Sequence, residues 1–139
     1  MTSLTMSAAS VRTSGVSTSK IGRILSAIAV AFMIFDTTVK FTHVDAVAQS
    51  FNQLGYPLSL AATIGIIELV CLVFYLVPST AVLGAVLLTG YLGGAISTHV
   101  RVGNPLFSHV LFPMYIAALI WGGLYLREPR LRALLPFRK

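Results

Sequence analysis

Six side chains in this sequence are able to do chemistry: Asp36, Lys40, Glu68, His99, Arg101 and His109. Asp36 and Lys40 are four residues apart and His43 follows three later, so on a helix all three share one face. Acid-first order at this spacing favours an ion pair. Glu68 stands alone in an apolar run, where a carboxylate has to be neutralised or paired, because an isolated ionised group is costly in hydrocarbon. The stretch "THVRVGNPLFSHVLFP", 98–113, gathers His99, Arg101 and His109. Carboxylates can exchange protons, and imidazole and guanidinium groups can donate hydrogen bonds to carbonyl oxygens. Two histidines and a carboxylate are also zinc or iron ligand types. No HxxxH or HxxH pair is present, so capping and hydrogen bonding explain these histidines and no metal is expected.

The surroundings give these groups their weight. The chain has 139 residues, 56% hydrophobic and 10% charged. Soluble domains carry about a quarter charged residues. This chain cannot cover itself with polar groups, so its expected solvent is lipid. The single cysteine, Cys71, lies in an apolar run with no charge beside it to activate a thiolate, and reads as a small core hydrophobe. The net charge of +6 lies mainly near the two ends, where it would orient the chain and attract anionic lipid. No basic stripe with interleaved aromatics suggests nucleic-acid binding. Phosphate-binding glycine loops, CxxC pairs and serine-nucleophile motifs are missing too.

Crossing ~30 Å of hydrocarbon takes about 20 helical residues. Four segments are long and continuous enough, at about 21–41, 58–77, 80–97 and 106–126. They lack the period-two alternation of barrel strands. The expected fold is therefore an all-α, four-helix transmembrane bundle over 20–130. A disordered cytoplasmic tail, 1–19, would precede it and a basic tail, 131–139, would follow. Ala46-Val47-Ala48 resembles a signal cleavage site, but Asp36, Lys40, His43 and Asp45 separate it from the apolar run, so the first helix is expected to stay uncleaved.

Pro78 should end the second helix, and Ser79 or Thr80 should cap the third, closing an antiparallel hairpin. Gly103-Asn104-Pro105 should turn the chain between the third and fourth. The segment from Thr42 to Pro57 has room for a short interfacial helix. Pro113 should kink the fourth helix or free a carbonyl near His109. Eight of the ten Lys and Arg residues lie near the termini, leaving Lys40 and Arg101 for the opposite side. Both termini are thus expected in the cytoplasm of an inner-membrane protein, with Tyr75, Trp121 and Tyr125 near that interface.

At 1.5 Å per residue, Asp36 lies ~22 Å along the first helix and Lys40 ~28 Å, while Glu68 lies ~15 Å along the second. His99 lies ~28 Å up the third helix and His109 ~5 Å below the outer boundary. A compact bundle would bring all of them to one polar pocket in the outer half, with Glu68 and His109 close together. Lys40, Arg101 and the histidines are the candidate counter-charges for Asp36 and Glu68. The plainer reading is that the same contacts only lock the helices together. Gly90 with Gly94, and Gly93 with Ser97, form small-xxx-small patterns expected to serve helix packing within the bundle, a seam between copies being the alternative.

The segments "ELVCLVFYLVP", "GYLGGAISTHVRVGNPLFSHVLFP" and "WGGLYLREPRLRALLP" resemble the DoxX-like family, over about Ile21 to Arg138. The resemblance implies a small bacterial inner-membrane protein of four helices. It carries Glu68, His99, Arg101 and His109 over as distinctive polar positions, without a catalytic role. The family's name comes from subunits associated with an oxidoreductase that passes electrons to quinone. A redox-linked subunit binding a quinone-like or other amphipathic molecule is the leading expectation, with a membrane redox complex as partner. An assembly protein without chemistry and a carrier of a small solute or protons, acting as a homo-oligomer, are the alternatives.

Overall fold

The computed structural model describes residues 13–42 and 45–134. Arg12, His43, Arg138 and Lys139, together with most of the expected N-terminal tail and part of the C-terminal one, lie outside the described residues. All regular structure among the described residues is helical: α1 (Thr13–Thr42), α2 (Asp45–Gln53), α3 (Leu60–Leu76), α4 (Ala81–Arg101), α5 (Phe112–Arg127) and α6 (Pro129–Leu134), with a π-helical turn at Leu106–Val110. The first helix reaches back past the apolar run, so 13–19 of the segment expected to be a disordered tail are helical. Among the described residues, three spans are long and apolar enough to cross a membrane: Thr18–Thr42, Ala81–Arg101 and Leu106–Arg127. α3 is also apolar but has 17 residues.

α1 packs on α5 and α3, and α4 packs on α3 and α5, so the four long helices close a ring. The ring buries Met33, Leu72, Tyr75, Leu88, Ile120 and Leu124. Its outer faces carry Ile28, Phe35, Ile66, Val70, Val86 and Met114, all exposed. An apolar exterior around a core containing fully buried Glu68 suits a lipid solvent. Cys71 is buried in that core, as its apolar context suggests.

Two turns use the same device. Gly55 and Gly103 have φ of 73° and 71°. After α2, the Tyr56 amide donates to the Phe51 carbonyl and Gly55 to Asn52. After α4, Asn104 donates to His99 and Gly103 to Val100. Both are Schellman closures, in which a left-handed residue lets the last carbonyls of a helix be capped. α2 buries Val47 and Phe51 on one face, against Ala61 at the start of α3. The expected short helix is thus present, with one apolar face turned to the bundle.

Three local expectations change. Thr80 sits at the cap position of α4, but its hydroxyl donates to the Phe74 carbonyl at the end of α3 (2.8 Å), so it caps the preceding helix instead. Tyr75 is not an interfacial ring: it is 1% exposed and donates its phenol proton to the Ile120 carbonyl (3.0 Å). Ahead of Pro113 the backbone widens into a π turn, with Val110 donating to Pro105 and Leu111 to Leu106. Pro113 therefore falls in the first turn of α5, where its missing amide proton leaves no helix bond unmade.

Candidate functional site

Lys40 is the hub. Its Nζ bonds Asp36 Oδ2 one turn back on α1 and Glu68 Oε2 on α3 (2.8 Å). Tyr91 of α4 donates its phenol proton to the same Glu68 oxygen (3.0 Å). The Lys40 ammonium also lies 5.8 Å from the Tyr91 ring centre. Four side chains thus tie three helices together. Glu68 is fully buried, and its other oxygen, Oε1, has no hydrogen-bond partner. Asp36 is 41% exposed at the side chain and Lys40 13%. Among the described residues the ion pairs are those of Lys40 with Asp36 and with Glu68.

The local chain explains the meeting. Gly65 lets α1 lie close to α3: a β-carbon there would stand 3.3 Å from the Phe41 ring and 3.6 Å from Lys40 Cβ. The Lys40 backbone therefore sits level with Gly65, and its four-carbon stem runs inward to Glu68, three residues on. Straight depth counting separates the two residues because it follows only the backbone.

A cavity of about 620 Å³ opens beside this cluster. Asp36, Lys40, Tyr91, Thr98 and His99 are its chief polar lining. The remainder is mainly apolar, from Phe32 and Met33 of α1, through Ile64 and Ile67, to Phe112 and Ile116. Phe32 and Phe112 meet edge to face at 5.1 Å. α2 closes one side with Val47 and Phe51. A volume of this size, apolar with a few placed polar groups, matches small-molecule sites.

The two histidines form a second level. Their rings meet edge to face at 5.8 Å. His99 Nδ1 accepts from the Asn104 amide (2.7 Å), which leaves the proton of neutral imidazole on Nε2. His109 Nδ1 bonds the Ser108 hydroxyl (2.8 Å). His99 lines the cavity; His109 and Glu68 are absent from its lining. Tyr91 and His99 are eight residues apart on α4, about 12 Å of rise. Glu68 and the histidines therefore occupy different levels, and the expected meeting of Glu68 with His109 does not occur. No group of three or more His, Cys, Asp or Glu side chains suited to a metal is found among the described residues.

Arg101 is turned elsewhere. Its guanidinium donates to the Leu54 carbonyl (2.5 Å) and stacks 5.7 Å from the Tyr56 ring, while the Tyr56 hydroxyl pairs with Thr98 (3.1 Å). It ties the α2–α3 turn to the end of α4 and does not reach the cavity or Glu68. Arg101→Gln should therefore loosen that turn. Amide exchange at 54–60 should rise about tenfold, with the Lys40 cluster unaffected, as hydrogen–deuterium exchange would show.

The glycines also separate. A β-carbon at Gly90, Gly93 or Gly94 would meet nothing within 4 Å, and Ser97 is exposed. These residues do not pack the bundle: Gly90 and Gly94 line the cavity. The tight seams are at Gly84 against the Tyr75 backbone and at Gly22 against Gly123.

Tyr91 is the side chain of this cluster that residue types alone did not mark. A tyrosine in mid-span reads as core, yet depth counting puts it about 15 Å into its helix, level with Glu68.

No curated protein and no solved structure matches the chain. The DoxX-like family model matches residues 24–123, a stretch that contains α3, α4, the π turn, the whole Lys40 cluster and both histidines. This membrane protein belongs to the DoxX-like family.

Proposed function

We propose that the chain is a redox-linked membrane subunit whose cavity holds a quinone-like or other amphipathic small molecule. The observation that carries this reading is the cavity itself: an apolar space of about 620 Å³ with an ammonium at one side. Lys40 has three N–H bonds, and Asp36 and Glu68 take two. The third is free to donate to a ligand carbonyl, and the Nε2 proton of His99 is a second donor on the lining. Phe32, Ile64 and Ile116 would hold an apolar ring or tail. Glu68 would exchange a proton through Oε2, the oxygen that both Lys40 and Tyr91 contact. Electrons would pass to or from a partner in a membrane redox complex.

In this reading α3 is the fourth crossing. Its 17 residues rise about 25 Å, and the bilayer or the flanking residues can absorb so small a mismatch. Lys20, Arg23, Arg127, Arg130 and Arg132 belong to the end of the bundle opposite the cavity. We therefore set both termini in the cytoplasm of a bacterial inner membrane, with the cavity in the outer half.

Binding of a short-tailed benzoquinone to the purified chain in nanodiscs tests the proposal. Gly90→Leu should fill the cavity, because nothing stands within 4 Å of a β-carbon there. Affinity should fall at least tenfold with the melting temperature maintained. Equal binding by wild type and Gly90→Leu would place any quinone outside the cavity. Absence of binding, with no quinone retained from native membranes, would leave the cluster as a structural lock in an assembly protein.

A further inference from the structure

We propose a second binding site, for a phosphate ester of net negative charge, where Arg23 and Arg127 converge at the end of the bundle opposite the cavity. Both line a small pocket of about 270 Å³, with Ser26 and Tyr75 as its other polar walls and Ala27, Val30 and Leu76 as apolar ones.

The fold builds this place deliberately close. A β-carbon at Gly22 would lie 2.8 Å from the Gly123 carbonyl and 2.9 Å from the Arg127 amide nitrogen. Only glycine lets α1 and the end of α5 touch there, and the next residue, Arg23, is thereby set beside Arg127. The Arg127 guanidinium stacks 5.0 Å from the centre of the Tyr75 ring. That ring is itself fixed: Tyr75 donates to the Ile120 carbonyl (3.0 Å) and its oxygen takes the Ser26 hydroxyl (2.9 Å). An arginine held over an aromatic ring is a preorganised fork for a planar or tetrahedral oxyanion.

Arg127 Nη2 is buried and has no hydrogen-bond partner. A buried guanidinium N–H left unmade is costly, so a small turn of the guanidinium that brought it to an acceptor in the pocket would be favoured. The described acids do not supply one. Asp36 and Glu68 are engaged by Lys40, Asp45 begins α2 beyond the far end of α1, and Glu128 Oε1 takes the Arg130 amide (3.3 Å). Arg132 is spent on the Tyr125 and Leu126 carbonyls at the end of α5. A phosphate offers several anionic oxygens to Arg23 and Arg127 together, and guanidinium–phosphate bonds are among the strong charge-assisted ones. The apolar walls beside them suit the first methylenes of an acyl chain. An anionic phospholipid headgroup and a soluble phosphate ester share this chemistry.

The test is native mass spectrometry of the full chain released from nanodiscs made of phosphatidylcholine with phosphatidylglycerol. Wild type should retain phosphatidylglycerol preferentially. Arg23→Gln with Arg127→Gln should lose that preference at least tenfold, and Arg127→Lys should lose part of it, since a lysine cannot reproduce the fork. Lys20→Gln with Arg130→Gln removes the same charge away from the pocket and should retain the preference. Loss of bound phosphatidylglycerol on adding inorganic phosphate would assign the site to soluble phosphate; its persistence would assign the site to lipid. No preference in wild type, equal retention by the Arg23/Arg127 double variant, or equal loss in the control variant would overturn the proposal. Melting curves for every variant separate loss of the site from loss of the fold.

Discussion

Replacing Lys40 with methionine should cost about 3–5 kcal/mol of stability, because it strands Glu68 as a buried charge without a partner. Glu68 is fully buried, and Lys40 is the cation that reaches it. The Tyr91 hydroxyl supplies one hydrogen bond to Oε2 but no charge, and Oε1 has none. Glu68→Gln should cost less, about 1–2 kcal/mol, since Lys40 keeps Asp36 and Tyr91 can still donate to the amide oxygen. Asp36→Asn should cost under about 1 kcal/mol, because that carboxylate is partly open to solvent. The decisive variant is the double one. Lys40→Met with Glu68→Gln removes both charges, and most of the single-variant loss should return. Unfolding in mixed micelles, followed by circular dichroism as the denaturing detergent rises, measures all four. A double variant no more stable than Lys40→Met would mean that neutralising Glu68 is not what Lys40 does.

The same cluster shows what can be read from residues alone. Run length and punctuation by Pro78, Gly103 and Pro105 mark the helices, because backbone geometry in an apolar solvent leaves few other structures. The pairing of Asp36 with Lys40 follows from a four-residue spacing on one helix. The partner of Glu68 is harder to read, because lysine, arginine and histidine were all candidates at similar depth. Side-chain reach decides among them: the Lys40 stem extends inward from the level of Gly65, while the guanidinium of Arg101 finds the Leu54 carbonyl and the Tyr56 ring in the neighbouring α2–α3 turn. Tyr91 escapes notice for a different reason. Its phenol is polar only at the tip, and nothing in "GYLGG" says whether that tip meets lipid, core or carboxylate. The cavity is the least legible feature, since it is a space between five elements and no residue type encodes it.

Glycines pose that problem most sharply, and one helix contains both outcomes. Gly84→Ala should destabilise the chain by about 3 kcal/mol or more, whereas Gly90→Ala should stabilise it by roughly 0.5–1 kcal/mol. A β-carbon at Gly84 would stand 2.1 Å from the Tyr75 amide nitrogen, 2.4 Å from its Cα and 2.5 Å from the Phe74 carbonyl carbon. All three are backbone atoms, so no rotamer change makes room and α3 must move off α4. That movement would also disturb Tyr75, which joins α3 to Ser26 of α1 and Ile120 of α5. Nothing lies within 4 Å of the same atom at Gly90, so there the substitution only reduces backbone freedom in a helix. The mixed-micelle unfolding assay should therefore give opposite signs for two identical chemical changes six residues apart. Tolerance of alanine at Gly84 would mean that α3 and α4 do not meet there. A loss at Gly90 that fades as the protein is diluted would show its face covered by a second copy, because dilution removes the contact from wild type as well, and would move the "GYLGG" stretch from cavity wall to seam.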